Sequence, residues 1–437
     1  MFKHKYKQNL FKNLKKKISS KKALIGIIGL GYVGLPLALT FSKKNFKLIG
    51  FDIDKSKVDD LRKGKSYFSR ISHKQINLLN KWAKFYSDYT QISNCDIVII
   101  CVPTPLNNDN KPNLSYIKNT VQKLKNKIKP GTLLILESTS YPGTTKEEIV
   151  DKLKKNFKIG VNLFIGFSSE RINPGENENN LHNIPKVISG LTKECKYLVK
   201  LFYDKFFNKV YLTNTIEEAE FSKILENIFR SVNIALINEM KLISHKLKIN
   251  LSNVIEAAST KPYGFMKFLP GPGIGGHCIP VDPYYLYWKA KLHGFDSEFI
   301  KLAAKTNINT TNEIILKIIN HFKKNPKTKI LILGISYKKN IEDTRESPSI
   351  EILMKLSKFF KVDYSDPYVD KFPNIRRYKS NLKSIPLTSK NLKKYDAVVL
   401  VTDHDKFRYR FIEEHSKLIF DTRNKFSNSY SKKIISL

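Results

Sequence analysis

In GPGIGGHCIPVDP (Gly271–Pro283), four glycines and three prolines surround one histidine and one cysteine. So little bulk and so much rigidity suit neither helix nor strand; they suit a loop that presents a thiol. A thiolate is a strong nucleophile, and backbone stripped of side chains lets a substrate come close to it. A lysine nearby would favour the thiolate form of Cys278. His277 beside it raises the question of a metal, but no second Cys/His cluster stands at ligand spacing, so no metal site is expected. Lys223 and Asn227 lie four apart in a helical stretch and share one face. Such a pair can polarise a carbonyl or hold an oxyanion, although two solvated helix positions satisfy the same spacing.

A second group of residues points to a dinucleotide. GLGYVG (Gly29, Leu30, Gly31, Tyr32, Val33, Gly34) is a GxGxxG set between a strand-like and a helix-like run, where the motif must stand to seat a pyrophosphate on a helix N-terminus. The next strand-like run, KLIGFD, ends in Asp52, 18 residues beyond Gly34. A carboxylate there accepts hydrogen bonds from ribose hydroxyls and repels a 2′-phosphate, which favours NAD over NADP. Thr104 in CVPTP, and Ser138 and Thr139 in ESTSYPGTT, follow two further strand-like runs, the ends at which open α/β sheets bind ligands.

These residues need a frame, and the chain supplies one. ALIGIIG, KLIGFD, CDIVIICV, GTLLILES and NLFIGFS read as buried parallel strands alternating with helical segments from residue 23 to about 215. From 216 the pattern turns helical, led by EEAEFSKILENIFRSVNIALINEMKLISHKLK, which runs without a breaker and suits a helix joining two lobes. After KKNPKTK the α/β rhythm returns in ILILGISY, KVDYSDP, YDAVVLVTD and LIFDTRN, without a glycine fingerprint. Residues 23–215 and 321–437 are therefore expected to be two doubly wound α/β domains. Residues 216–320 form a helical region carrying the Cys278 loop. The basic stretch 1–22 is an extension, either frayed or a short amphipathic helix.

Composition agrees with a globular chain of 437 residues, 41% hydrophobic and 11% aromatic. Lys+Arg outnumber Asp+Glu by 77 to 39, a net +38, which on its face suits a polyanion such as nucleic acid. The lysines are scattered through every segment and no nucleic-acid motif accompanies them, so no nucleic-acid partner is expected; an anionic small substrate fits the same field. Four cysteines without a CxxC pair give no disulfide framework and suit a reducing cytoplasm. Ala23–Phe41 is 19 residues without a charge, near the length of a membrane span. Its glycines and Pro36 argue for strand, turn and helix, so no stable membrane insertion is expected.

Taken in order, GLGYVGLPLA, CVPTP, ESTSYPGTT, SSERINPG, KILENIFRSVNIALINE, GPGIGGHCIPVDP and DTRES resemble the UDP-glucose/GDP-mannose dehydrogenase family from about residue 23 to 430. The resemblance implies two Rossmann-like domains, one for NAD and one for a UDP-sugar, bridged by a long helix that also forms a homodimer or higher homo-oligomer. SERINPG and KPYGFMKFLPGPGIGGHCIPVDPYYL are most similar to the UDP-N-acetylglucosamine/UDP-N-acetylgalactosamine branch. UDP-glucose members tend to carry NPEFLAEG-like and GGSCFPKD segments. UDP-N-acetylmannosamine members share GGHC but differ upstream of it.

Position by position, the family pattern makes Cys278 the nucleophile. Lys223, Asn227 and Asp282 handle the oxyanion and an ordered water, and Glu170 is the base for thioester hydrolysis. It assigns Asp52, Lys57, Thr104, Thr139 and Arg345 to the cofactor together with the glycine turn. Arg171, Ile172, Arg230, Gly275, Tyr337, Lys338 and Arg423 go to the substrate, with Lys223 and Asn227. Lys57 stands where many members carry arginine and lacks its planar fork. The implied reaction is a four-electron oxidation of C6 of a UDP-N-acetylhexosamine, UDP-N-acetylglucosamine first, to the uronate for surface polysaccharide precursors. UDP-glucose and UDP-N-acetylmannosamine are the rival substrates. A two-electron NAD dehydrogenase would keep the glycine turn and have no use for Cys278.

Overall fold

Runs of three to six residues rich in Ile, Val, Leu and Phe, most of them buried on both faces, form the strands of two sheets. The computed structural model describes residues 2–68, 70–171, 183–375, 378–426, 429 and 431–437. The chain divides into two units, Met1–Leu225 with Tyr284–Leu292, and Glu226–Pro283 with His293–Leu437.

The first unit holds β1 (Ile25–Ile28), β2 (Leu48–Phe51), β3 (Ala83–Tyr86), β4 (Ile97–Ile100), β5 (Thr132–Leu136), β6 (Leu163–Ser168), β7 (Lys186–Gly190) and β8 (Val210–Leu212). Their order is β3-β2-β1-β4-β5-β6-β7-β8. Ile25 pairs with Leu48 on one side and Ile97 on the other, both parallel. The order therefore reverses between β1 and β4, and the carboxyl ends of those strands border the crevice where such sheets take ligands. Among the described strands of this sheet, β6 and β7 alone run antiparallel, Gly166 opposite Gly190. Ile27, Ile99 and Ile135 pack with Phe41, Phe202 and Phe206 in one core. The amino-terminal segment is a helix, Phe2–Ser19, that buries Leu14 and Ile18 in that core. Lys17 reaches Asp96 at 2.8 Å. The later turns of this helix thus dock on the first unit's core.

The 31-residue helix Ile216–Lys246 begins in the first unit and ends in the second. The second unit's sheet contains β9 (Lys329–Leu333), β10 (Lys361–Ser365), β11 (Ala397–Leu400), β12 (Ile419–Asp421) and β13 (Ile434–Ser436), in the order β10-β9-β11-β12-β13. All its pairs are parallel, the other common doubly wound order, with its reversal between β9 and β11. Ile330, Ile332, Val399 and Phe420 form its core with Ile350 and Leu353 of the helix Pro348–Leu356. That helix starts with Ser347 as N-cap and Pro348 in its first turn. The helix Glu298–His321 adds Ile314 and Ile318 to the same core.

Candidate active site

The glycine turn follows β1 directly, and each glycine answers a different steric demand. Gly29 has φ +90°, and a Cβ there would stand 2.7 Å from the Cys101 carbonyl oxygen. At Gly34 a Cβ would meet the Gly29 oxygen at 1.9 Å, so the turn closes only with glycine at both places. Gly31 is unlike them: a Cβ there meets nothing within 4 Å. Open space at the middle glycine, ahead of the helix Gly34–Ser42, is what a pyrophosphate needs, so this turn fits NAD. Val33 is the residue before that helix, and Tyr32 packs on Phe68 with ring centroids 4.6 Å apart.

Asp52, just past β2, is tied to the same turn. One carboxylate oxygen accepts from the Leu30 N–H at 2.8 Å and the other from the Asp54 N–H at 3.0 Å. Lys57 stands one helical turn on, its ammonium 3.9 Å from Asp54 and 5.9 Å from the Tyr67 ring centroid. The Thr104 hydroxyl donates to the Thr139 carbonyl at 2.6 Å, which joins the loops after β4 and β5. The Thr104 carbonyl in turn accepts from the Tyr285 hydroxyl.

Glu170 and Arg171 follow β6. Glu170 accepts from the Arg171 N–H at 2.7 Å, and the Arg171 guanidinium donates to the Pro185 carbonyl at 2.8 Å. The other Glu170 oxygen lies 3.3 Å from the Lys186 ammonium, which also reaches Glu137 at 2.9 Å. Ile172 lies outside the described residues. Lys223 is buried, one turn beyond Glu220 on the long helix. Glu220 accepts from the Gly143 and Thr145 N–H groups at 2.5 and 2.8 Å and from the Thr145 hydroxyl at 2.7 Å. Burial raises its pKa to about 7, although those three donors pull the other way.

In the second unit the thiol loop is held by its backbone. The Gly271 N–H donates to Asn238 at 2.9 Å, the Gly276 N–H to the Arg345 carbonyl at 2.9 Å, and the Thr311 hydroxyl to the Pro272 carbonyl at 2.7 Å. A Cβ at Gly275 would stand 2.6 Å from the Tyr337 Cβ and 2.9 Å from the Glu346 oxygen. At Gly276, with φ +84°, it would strike the Tyr337 ring at 2.9 Å. The glycines thus let the loop lie flat on Tyr337. Of the four cysteines Cys278 alone is exposed. Its carbonyl accepts from the Asp282 N–H at 2.8 Å, and the Asp282 carboxylate accepts from the Asn227 amide at 2.6 Å.

Tyr337 and Lys338 lie past the carboxyl end of β9, and Arg423 past that of β12. The Arg423 guanidinium donates to the Val401 carbonyl at 2.7 Å and faces Gly271, whose Cβ would lie 2.8 Å from it. Burial raises the Tyr337 pKa to about 12; Asp343 and Cys278 add to the rise, while Arg345 and Arg230 oppose it. Arg345 itself is chelated by Asp343, at 3.0, 3.1 and 2.6 Å. Burial and the Arg345 charge push the His277 imidazole down to about 4 and keep it neutral. No group of three or more His, Cys, Asp or Glu able to hold a metal occurs among the described residues.

The first unit thus gathers the glycine turn, Asp52, Lys57, Thr104, Thr139, Glu170, Arg171 and Lys223. The second gathers Cys278, Gly275, Asn227, Asp282, Arg230, Tyr337, Lys338, Arg345 and Arg423. Lys186, Glu137, Glu220 and Asn238 are additions that sequence reasoning missed. Each is a lone polar residue whose partner lies 16 to 77 positions away, so no local pattern marks it.

Three family models cover nearly the whole chain. They are the NAD binding, central and UDP binding domains of the UDP-glucose/GDP-mannose dehydrogenase family, matching residues 23–207, 217–309 and 331–428. A UDP-N-acetyl-D-glucosamine 6-dehydrogenase of Salmonella typhi is 35% identical, over 88% of this chain and 90% of its own. A UDP-N-acetyl-D-mannosamine dehydrogenase of Methanococcus aeolicus is 34% identical, over 92% and 89%. The solved structure of a UDP-D-ManNAc dehydrogenase from Pyrococcus horikoshii superposes with a TM-score of 0.81 at 29% identity, covering 92% of this chain and 95% of that one. By these matches the chain belongs to the UDP-glucose/GDP-mannose dehydrogenase family and is an NAD-dependent nucleotide-sugar 6-dehydrogenase.

Proposed function

We propose that the substrate is a UDP-N-acetylhexosamine, UDP-N-acetylglucosamine first, oxidised at C6 to the uronate through a covalent adduct on Cys278. The observation that carries the covalent route is the exposed thiol on a loop laid against Tyr337 and Arg423, in the same unit as the UDP binding domain match. Two NAD molecules, held one after the other by the glycine turn around Gly31 and by Asp52, would each accept one hydride. The Cys278 thiolate adds to the C6 aldehyde left by the first oxidation, and the second oxidation turns that thiohemiacetal into a thioester. Lys223 and Asn227 hold the oxyanion. Glu170 or Asp282 takes a proton from water, which displaces the sulfur and releases the carboxylate. Covalent capture divides a four-electron oxidation into two-electron steps and retains a reactive aldehyde.

Residues 23–215 serve NAD in this reading, with Lys57, Thr104, Thr139 and Arg345 as further contacts. Residues 321–437 hold the UDP half through Tyr337, Lys338 and Arg423, while Arg171, Arg230 and Gly275 meet the sugar end. The same reading gives a homodimer along the 216–320 region. The long helix leaves Phe229, Leu236 and Ile243 exposed at seven-residue spacing, and the helix Glu298–His321 leaves Phe299, Leu302 and Ile308 exposed. No helix among the described residues is long and apolar enough to cross a membrane.

The acetamido preference follows from SERINPG and the approach to the thiol loop, and from the 35% and 32% identity to two UDP-N-acetyl-D-glucosamine 6-dehydrogenases. A site that hydrogen-bonds an acetamido group is left with unpaired polar atoms by a plain hydroxyl, at about 1–3 kcal/mol each. The kcat/KM ratios over UDP-N-acetylglucosamine, its C4 epimer, UDP-N-acetylmannosamine and UDP-glucose test the reading. UDP-N-acetylglucosamine or its C4 epimer should lead UDP-glucose at least tenfold. A preference for UDP-glucose or UDP-N-acetylmannosamine would overturn it.

A further inference from the structure

Lys186 opens β7 with its side chain 3% exposed, between the carboxylates of Glu137 (0% exposed) and Glu170 (14%). Its ammonium stands 2.9 Å from one and 3.3 Å from the other. It also lies 5.6 and 5.4 Å from the ring centroids of Tyr203 and Phe207, which close off water. The Tyr203 hydroxyl donates to the second Glu137 oxygen. A lysine is almost never buried this far without a charge partner, and here one ammonium lies between two carboxyl groups. Glu137 is fully enclosed and gains a cation and a phenol. Glu170 is the partner with an exposed edge, and its two oxygens are taken at opposite sides, by the Arg171 N–H and by Lys186.

We propose that Lys186 is a positioning residue for the hydrolytic half of the reaction, fixing the orientation of the Glu170 carboxylate. This rests on the reading of Glu170 as the base that activates water. Burial works against a charge on Glu137, and the Lys186 ammonium works for it. The same ammonium holds Glu170 at slightly longer range, 3.3 Å, so the cluster fixes one carboxylate orientation where a solvated glutamate would wander among rotamers. The hydride-transfer steps make no demand on this cluster. Its loss should therefore show only after the thioester has formed.

Lys186→Met alone leaves Glu137 buried without its cation and is open to misfolding. Lys186→Met with Glu137→Gln removes both charges together, and Lys186→Arg keeps a cation in place. Rapid mixing of each variant with UDP-sugar and NAD reads the NADH burst, and intact mass reads acyl-enzyme on Cys278. The expected result for the double variant is a burst within twofold of the parent, a steady state at least tenfold slower, and accumulated acyl-enzyme. Lys186→Arg should recover most of the steady-state rate. Parental turnover in the double variant, or equal slowing of burst and steady state, would overturn the positioning role. Glu170→Gln separates the two ideas. If it accumulates acyl-enzyme while the double variant does not, the role of Lys186 alone falls. If it hydrolyses at the parental rate, Glu170 is not the base and the role of Lys186 falls with it.

Discussion

Gly31 and Gly34 belong to one motif and should fail in opposite ways when changed to alanine. A Cβ at Gly34 would sit 1.9 Å from the Gly29 carbonyl oxygen and 3.2 Å from Ile27 Cγ2. The obstacle is backbone rather than the end of a flexible side chain, so it cannot swing aside. Overpacking of this kind costs about 1–3 kcal/mol, and with backbone as the obstacle Gly34→Ala belongs near 3. For a domain of this size that lowers the Tm by about 6–12 °C. Gly31→Ala meets no atom of the protein within 4 Å and lies outside the left-handed region. It should leave folding unchanged or raise stability by about 0.4–1 kcal/mol through the unfolded chain. Its methyl would occupy the space reserved for the pyrophosphate, so NAD affinity should fall at least tenfold, about 1.4 kcal/mol. Thermal unfolding and calorimetric NAD titration of both variants check this. A Gly31→Ala protein that binds NAD like the parent, or a Gly34→Ala protein that melts with it, would refute the reasoning.

The parent should prefer NAD to NADP at least tenfold, and Asp52→Ala should narrow that gap; equal kcat/KM for both cofactors in the parent would remove Asp52 from its role. Glu220 supplies a pH test. Its folded pKa, about 7, lies above the ordinary glutamate value of 4.5, so the folded state keeps a proton that the unfolded chain releases. Its contribution is complete below pH 4.5 and is lost as pH rises toward 7, by roughly 3 kcal/mol. Denaturant unfolding at pH 5 and pH 8 should show a smaller loss for Glu220→Gln than for the parent, and identical losses would contradict the assignment.

Among the described residues, nine of the thirteen strands could be read from the chain: β1, β2, β4, β5, β6, β9, β11 and β12 as apolar runs bounded by turn residues, and β10 from the return of the α/β rhythm in KVDYSDP. The glycine turn was legible for a stricter reason: only glycine closes it at Gly29 and Gly34, so its spacing cannot drift. β3 (AKFY) alternates buried and exposed positions, and β7 (KVISG) opens on a lysine, so neither reads as a buried run. β8 and β13 have only three residues each, too short to show a period. In the candidate site, Cys278 announced itself through the glycines and prolines around it. The pairing of Asn227 with Asp282 spans 55 residues. The lysine between Glu137 and Glu170 is brought there only by the fold, since β5 is separated from β7 by β6. Local pattern carries the backbone; long-range polar contacts belong to the folded chain.

Counting NADH per sugar consumed separates covalent capture at Cys278 from a simple two-electron oxidation. The parent should release two NADH for each UDP-uronate formed. Cys278→Ala should release no more than one per sugar and form no uronate, because no other cysteine is exposed. Two NADH per sugar from Cys278→Ala, with uronate as the product, would contradict the covalent route.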